Sequence, residues 1–276
     1  MSNPTAESNQ ETYEKGSVAS YYASLDYLTA CERLLFSSYI KRGSSVFDLG
    51  VGGGRTTRYL AFRASRYVGA DYAESMIKAC EARFPDLEFA VANAADLSRF
   101  PDACFDAVVI AFNGIDYVFP AESRHACFRH LQRVIKPAGF LIFSSHNPRA
   151  VLVRQSWNRE RLWDVAQKLS AGSRSLRNVL WAGLTCVRVA MAVGQSACRT
   201  AIRILTRVPS RAFWRGEGSL VDSAHGGLLT HCWTPQRAIA GISEFGFRVE
   251  RVLGDDYAHS SHEYMTDWYY YVFAKR

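Results

Sequence analysis

The sequence is short of several things, and each shortage removes a class of protein. No C-x-x-C pair occurs, and the seven cysteines are an odd number, scattered singly from Cys31 to Cys232. A disulfide framework and a zinc cluster are therefore not expected; no metal site is predicted, and a reducing, cytoplasmic setting is. The first dozen residues are polar and hold no apolar h-region, so no signal peptide is expected. The most apolar region is interrupted by Arg177, Arg188 and Arg199, leaving stretches of about ten residues, too short to span a bilayer. No internal repeat is visible. Lysine is scarce, six against 27 arginines.

What is present is globular. Hydrophobic residues make up 48% of 276 and aromatics 13%, which allows one large α/β domain or one domain with an insertion. The net charge of +7 is unevenly placed. Residues 149–215 carry 13 Lys/Arg against Glu160 and Asp164, a local +11 that leaves the rest of the chain at −4.

Apolar positions at helical spacing run over residues 13–42, after a polar tail, and Gly43 ends them. A strand–helix alternation follows. Strands are predicted over 45–49, 66–70, 87–92, 105–112 and 140–144, with helices over 55–64, 73–83 and 123–135. Continuous apolar strands alternating with helices predict a parallel sheet covered on both faces. The pattern breaks after Asn147-Pro148. It resumes with a helix over 235–245 and strands over 247–253 and 268–273, which read as an antiparallel edge hairpin. The expected fold is α/β, a doubly wound, seven-stranded, mostly parallel sheet. Its divisions are a tail and helical cap at 1–42, the core at 43–148, a basic helical insertion at 149–219 and a sheet-completing segment at 220–276.

The densest signal is VFDLGVGGGR. After the first strand, Gly50, Gly52, Gly53 and Gly54 strip the side chains from a turn that opens a helix. A helix N-terminus presents unpaired N–H groups and partial positive charge, and a bare turn lets a ligand lie against the backbone. The packing alternative needs one or two glycines, not four. Strand two ends in Asp71, positioned to accept hydrogen bonds from both hydroxyls of a ribose; capping the next helix is the competing role. Position 55, where a dinucleotide fold places its third glycine, is arginine. That argues against the rival reading of an NAD-dependent oxidoreductase.

VFDLGVGGGR, GADYAESMI, VANAADLSRF, FPDACFDAVVIAFNGIDYV and LQRVIKPAGFLIFSSHNP, in this order, resemble the motif series of class I S-adenosylmethionine-dependent methyltransferases. The resemblance covers residues 45–148. It implies S-adenosyl-L-methionine as cofactor and assigns roles. Asp48, Gly50, Gly52 and Gly54 would hold its methionine part and Asp71 its ribose. Tyr72 and Met76 would flank the adenine, and Asn93 and Ala94 would meet its edge. Asn113 would sit beside the transferable methyl. The family often has Asp where Asn93 stands, which keeps Asp96 as an alternative. In similar proteins an N-terminal helix folds over the cofactor, so Tyr21, with Tyr13 and Tyr22, is a candidate for closing the site; core packing is the other reading.

The candidate general base is His146, just past strand five; a loop histidine capping backbone groups is the alternative. Asp116 and Tyr117 follow Asn113 as pocket candidates. His225, His231, His259 and His262 are taken as surface residues. Three readings of the insertion stand: a lid, a membrane-surface helix through 178–215 suited to a lipid-linked acceptor, and a nucleic-acid patch. No Asn/Asp-Pro-Pro-aromatic signature of base-amino methylation appears. The expected activity is methyl transfer to oxygen or nitrogen of a small-molecule acceptor, such as a sugar, a metabolite or a lipid-linked compound. A non-catalytic cofactor-binding protein is a further rival, and a homo-oligomer stays open.

Overall fold

The computed structural model describes residues 6–154, 159–170, 172–222, 227–259 and 262–276. Helices α1 (Ala6–Tyr13), α2 (Gly16–Ala23) and α3 (Ala30–Tyr39) precede β1 (Ser44–Leu49). The alternation then runs α4 (Thr57–Arg63), β2 (Ala64–Asp71), α5 (Glu74–Arg83), β3 (Glu88–Val91), β4 (Phe105–Ile110), a 3-10 turn at Gly114–Tyr117, α6 (Ala121–Val134) and β5 (Ile135–His146). The remainder is α7 (Arg159–Leu169), α8 (Arg174–Arg207), α9 (Arg211–Arg215), β6 (Glu217–Asp222), β7 (Leu228–Trp233), α10 (Pro235–Ser243), β8 (Phe247–Gly254) and β9 (Trp268–Lys275). The chain divides into two compact units, one up to Arg149 and again from Arg211, the other Ala150–Ser210.

In the first unit seven strands form one sheet in the order β3-β2-β1-β4-β5-β9-β8. The first five pair in parallel, and β9 runs antiparallel to both β5 and β8. An antiparallel strand at that place separates this sheet from the 3-2-1-4-5-6 order of dinucleotide folds. Successive residues of the central strands feed opposite faces. Val108 and Ile110 join one core with Phe47, Phe143 and Tyr271, whereas Ala107 and Val109 join another with Val46, Leu35 and Val272. Burial on both sides explains why these strands read as unbroken apolar runs.

The expected elements are present with shifted ends. β5 begins at Ile135 and passes through Pro137, with a register shift between Phe105 and Ala107 on β4 that absorbs the proline. The cap comprises three helices, and the polar tail includes α1. Asn9 explains the order there: its side chain donates to Leu229 O at 2.7 Å and accepts from Leu229 N at 3.0 Å. The β6–β7 hairpin is an element that periodicity did not predict. Residues 211–219 also group with the core, not with the insertion.

Arg55 shows why the third glycine is missing. Its guanidinium grips both carboxylate oxygens of Glu32 and donates to Tyr27 O at 2.8 Å. Both side chains are buried. Glu32 in turn closes a capping box with Thr29 at the start of α3. Removing one partner of a buried pair leaves an uncompensated charge, so Glu32→Ala is expected to cost about 3–5 kcal/mol. Urea unfolding of the variant beside the wild type measures that loss.

In the second unit, α7 and α8 lie side by side. Trp163 and Trp181 meet edge to face at 5.7 Å, and Arg177 lies over the Trp163 ring at 5.1 Å. The two segments read separately around 178–193 and 199–208 form one helix of 34 residues.

Candidate active site

The carboxyl ends of β1, β2, β3 and β4 open into one cavity of about 250 Å³. Gly50, Gly52, Asp71, Tyr72, Met76, Asn93 and Ala94 line it, together with Arg55, Phe112 and Tyr117. The glycine loop divides its labour. Gly50, at φ 73°, has open space where a Cβ would stand. A Cβ on Gly53 would lie 2.2 Å from Ala23 N, so this glycine admits the backbone at the end of α2. One on Gly54 would lie 2.8 Å from the Phe84 ring, and that glycine admits the side chains of α5 and its C-terminal flank. Gly54 is not among the lining residues.

Asp71 accepts from Gly52 N at 2.9 Å and from Ala73 N at 3.0 Å. It thus pins the loop and caps the turn into α5 while facing the cavity, and these bonds leave its carboxylate with acceptor capacity. Burial pushes its carboxyl up to about 6. Asp48 lies behind the loop. Its Oδ2 accepts from Thr56 at 2.7 Å and Tyr67 at 3.0 Å, whereas its buried Oδ1 has no partner. Burial again raises the carboxyl to about 6. Asn93 is exposed at the rim, with Oδ1 accepting from Ala95 N. Asp96 is exposed, turns toward Ser98 N and does not line the cavity.

The N-terminal helices cover the cavity, with one correction to the tyrosine expected there. Tyr21 is 55% exposed and Tyr22 lines the wall. The reason is helical phase: Val18, Ala19 and Tyr22 share the packed face of α2 and position 21 falls off it. Tyr13 joins Tyr22, Tyr72 and Tyr117 with ring centroids 5.8–6.1 Å from its own. Glu14 ties this cover to α5 by accepting from Glu74 N and Ser75 N.

The end of β4 is strained. Phe112 and Asn113 both sit at positive φ, 52° and 59°, a conformation that costs about 1–3 kcal/mol per residue. The surroundings hold it: Asn113 N donates to Ser144 Oγ at 2.8 Å, and Arg55 lies 4.2 Å over the Phe112 ring. The outcome is a side chain aimed at β5, where Asn113 Nδ2 stands 3.2 Å from His146 Nε2. Asn113 Oδ1 is buried without a partner.

His146 is the last residue of β5, not a loop residue. Its Nδ1 and its backbone N each lie 2.7 Å from Asp116 Oδ2, and Ser145 donates to Oδ1. Asp116 is fully buried. Burial raises its carboxyl and the histidine bonds oppose the rise. A carboxylate at Nδ1 makes that nitrogen the N–H donor and leaves the lone pair on Nε2, toward Asn113. His146 and Asn113 are not themselves lining residues. Asn113 lies between lining Phe112 and Gly114, and Asp222 stands 3.9 Å from Nε2 while accepting from lining Tyr117 at 3.2 Å. Asp222 ends β6, the strand missed in the sequence. Burial alternates along EGSLVD, but Gly218, Leu220 and Asp222 on one side and Glu217, Ser219 and Val221 on the other give the sequence no matching apolar–polar alternation.

Among the remaining histidines, His231 is buried, not superficial, and burial pushes it down to about 3. His259 and His262 are exposed, and His225 lies outside the described residues. No group of three His, Cys, Asp or Glu gathers as a metal site among the described residues.

Residues 46–139 match the model of the family described as "Methyltransferase domain". A demethylmenaquinone methyltransferase of Clavibacter sepedonicus is 32% identical over 120 residues, 42% of this chain and 47% of that protein. A ubiquinone biosynthesis O-methyltransferase of Alkalilimnicola ehrlichii is 29% identical over 135 residues, covering 46% and 50%. The chain thus spans about half the length of these curated relatives. A solved S-adenosylmethionine-dependent methyltransferase of Mesorhizobium loti superposes with a TM-score of 0.56 at 17% identity, over 89% of this chain and 98% of that one.

Proposed function

From a chain that carries a class I S-adenosylmethionine-dependent methyltransferase domain, we propose that the protein moves a methyl group to a hydroxyl oxygen of a small aromatic acceptor. The cofactor, when bound, supplies the methyl on a sulfonium that activates it. The site fits that molecule. Gly50 and Gly52 leave backbone bare, Asp71 keeps acceptor capacity facing the cavity, and Asp48 Oδ1 is an unfilled acceptor at the end of β1. Tyr72 and Met76 would flank the adenine, with Asn93 and Ala94 at its edge.

The observation that carries oxygen as the attacking atom is the His146–Asp116 pair. A phenol or alcohol must lose its proton as it attacks, and an imidazole whose Nδ1 is held by Asp116 presents Nε2 as the base for that step. Asp116 holds the ring and stabilises the imidazolium that forms, and Asp222 faces it from the other side. Asn113 occupies the Nε2 lone pair until an acceptor hydroxyl replaces its amide. Phe112, Tyr117, Phe119 and Tyr22 give the cavity the aromatic wall that a ring would stack on. The relative named for O-methylation in ubiquinone biosynthesis supports the same choice.

The test is S-adenosylhomocysteine release with a panel of phenols and primary amines of similar size. Turnover restricted to the phenols is expected. Turnover with amines alone contradicts oxygen transfer. Binding of the cofactor without release for any acceptor points to a non-catalytic role.

A further inference from the structure

Helix α8 carries six arginines and no aspartate, glutamate or lysine over 34 residues, a length of about 51 Å. At about 100° per residue, Leu176, Val179, Val187, Met191, Ile202 and Leu205 fall within an arc of about 140°. Arg174, Arg177, Arg188, Arg199, Arg203 and Arg207 fall within a separate arc of about 120°. An ordinary surface helix buries its apolar arc and turns its charges outward. Here the order is reversed. The arginine side carries Arg177 and Trp181, which meet Trp163 of α7, and Arg207, which donates to Ala150 O at 2.8 Å. Most of the apolar arc is exposed, Leu205 to 75% and Val179 to 67%, with Leu180 and Leu184 half-buried within it.

We propose that this arc docks the protein on an anionic lipid surface. α8 would lie in the interface plane, its apolar arc among the acyl chains. Arg188, about 40° from the arc's edge, would extend its long stem toward lipid phosphates. Length and composition alone also satisfy the requirement for a membrane-crossing helix. Arg188 at mid-helix, with Arg177 and Arg199 eleven residues to either side, places the segment on the bilayer and not across it. Charge selects the occupant. A second copy pairing along the apolar arc would bring together two segments of local charge +11, with no acid on either copy of α8. A nucleic acid would leave the apolar arc in water. The local +11 of residues 149–215, against −4 elsewhere, confines attraction to anionic headgroups to this segment.

The experiment is flotation of the full chain with vesicles of phosphatidylcholine alone or mixed with phosphatidylglycerol. Binding about tenfold or more tighter to the mixed vesicles is expected. Val187→Glu with Leu205→Glu, which puts charge on the exposed part of the arc, is expected to abolish that binding. Val187→Ser with Leu205→Ser, the milder pair, should weaken it at least about tenfold. Both variants should keep wild-type circular dichroism and S-adenosylhomocysteine affinity, so loss of flotation is separable from loss of folding or of the methyltransferase site. Equal binding to both vesicle types, no binding to either, or unchanged binding by the serine pair overturns the proposal. So does a concentration-dependent dimer in light scattering that the same substitutions dissolve without any lipid binding.

Discussion

Replacing His146 by alanine is expected to lower kcat by about 10²–10⁴-fold while S-adenosylhomocysteine affinity stays at the wild-type value. The split follows from position. His146 contacts Asp116 and Asn113 and is not part of the cavity wall, so its removal spares cofactor binding. What is lost is the group that receives the acceptor's proton. Asp116→Asn separates positioning from proton transfer. It keeps the volume but permits an amide N–H to face Nδ1, which moves the imidazole proton to Nε2 and blocks the lone pair. Stopped assays of product release across the pH range measure both variants. A His146→Ala enzyme with wild-type kcat assigns proton removal to another group or to water.

Asp71→Ala is expected to weaken S-adenosylhomocysteine binding by about 10²–10⁴-fold, since two charge-assisted hydrogen bonds at about 1.5–3 kcal/mol each disappear. The wild-type affinity should also fall as the pH drops through about 6, where Asp71 takes up its proton and ceases to be a two-way acceptor. Asp71→Asn should lack that inflection. Stability runs with the opposite sign. The folded pKa lies above the ordinary 3.8, so the protonated carboxyl contributes stability that is complete below pH 3.8 and lost as the pH rises through about 6. The same group that binds best when ionised therefore strains the unliganded fold near neutrality.

Much of this was legible in the chain because it is local. Continuous apolar strands, Gly43 and Gly246 at helix ends, and the loop after β1 follow from short-range sterics and double-sided burial. What the loop's glycines do was only half legible. Bare backbone at Gly50 is a ligand signal, but the clearance at Gly53 and Gly54 answers to α2, α5 and the ring of Phe84, brought there by tertiary packing. The same holds for Arg55. Its departure from a dinucleotide pattern could be seen, and its partner Glu32, 23 residues earlier, could not. His146 and Asp116 are each candidates in the sequence, yet their pairing needs β5 to lie beside the turn after β4. Asp222 is not legible because β6 is a short, half-exposed strand whose residue types do not alternate with its burial. Periodicity names the Tyr21–Tyr22 stripe of α2 but not which of the two faces the site.

The central claim is that the cavity under α2, floored by Gly50 and Gly52 and closed by Asp71, is a site for the adenosyl cofactor. Calorimetric titration of the intact chain with S-adenosylhomocysteine tests it most directly. One molecule bound per chain, with the heat lost in Asp71→Ala, is the predicted result. No heat from a folded protein, or equal heat from NAD, contradicts it.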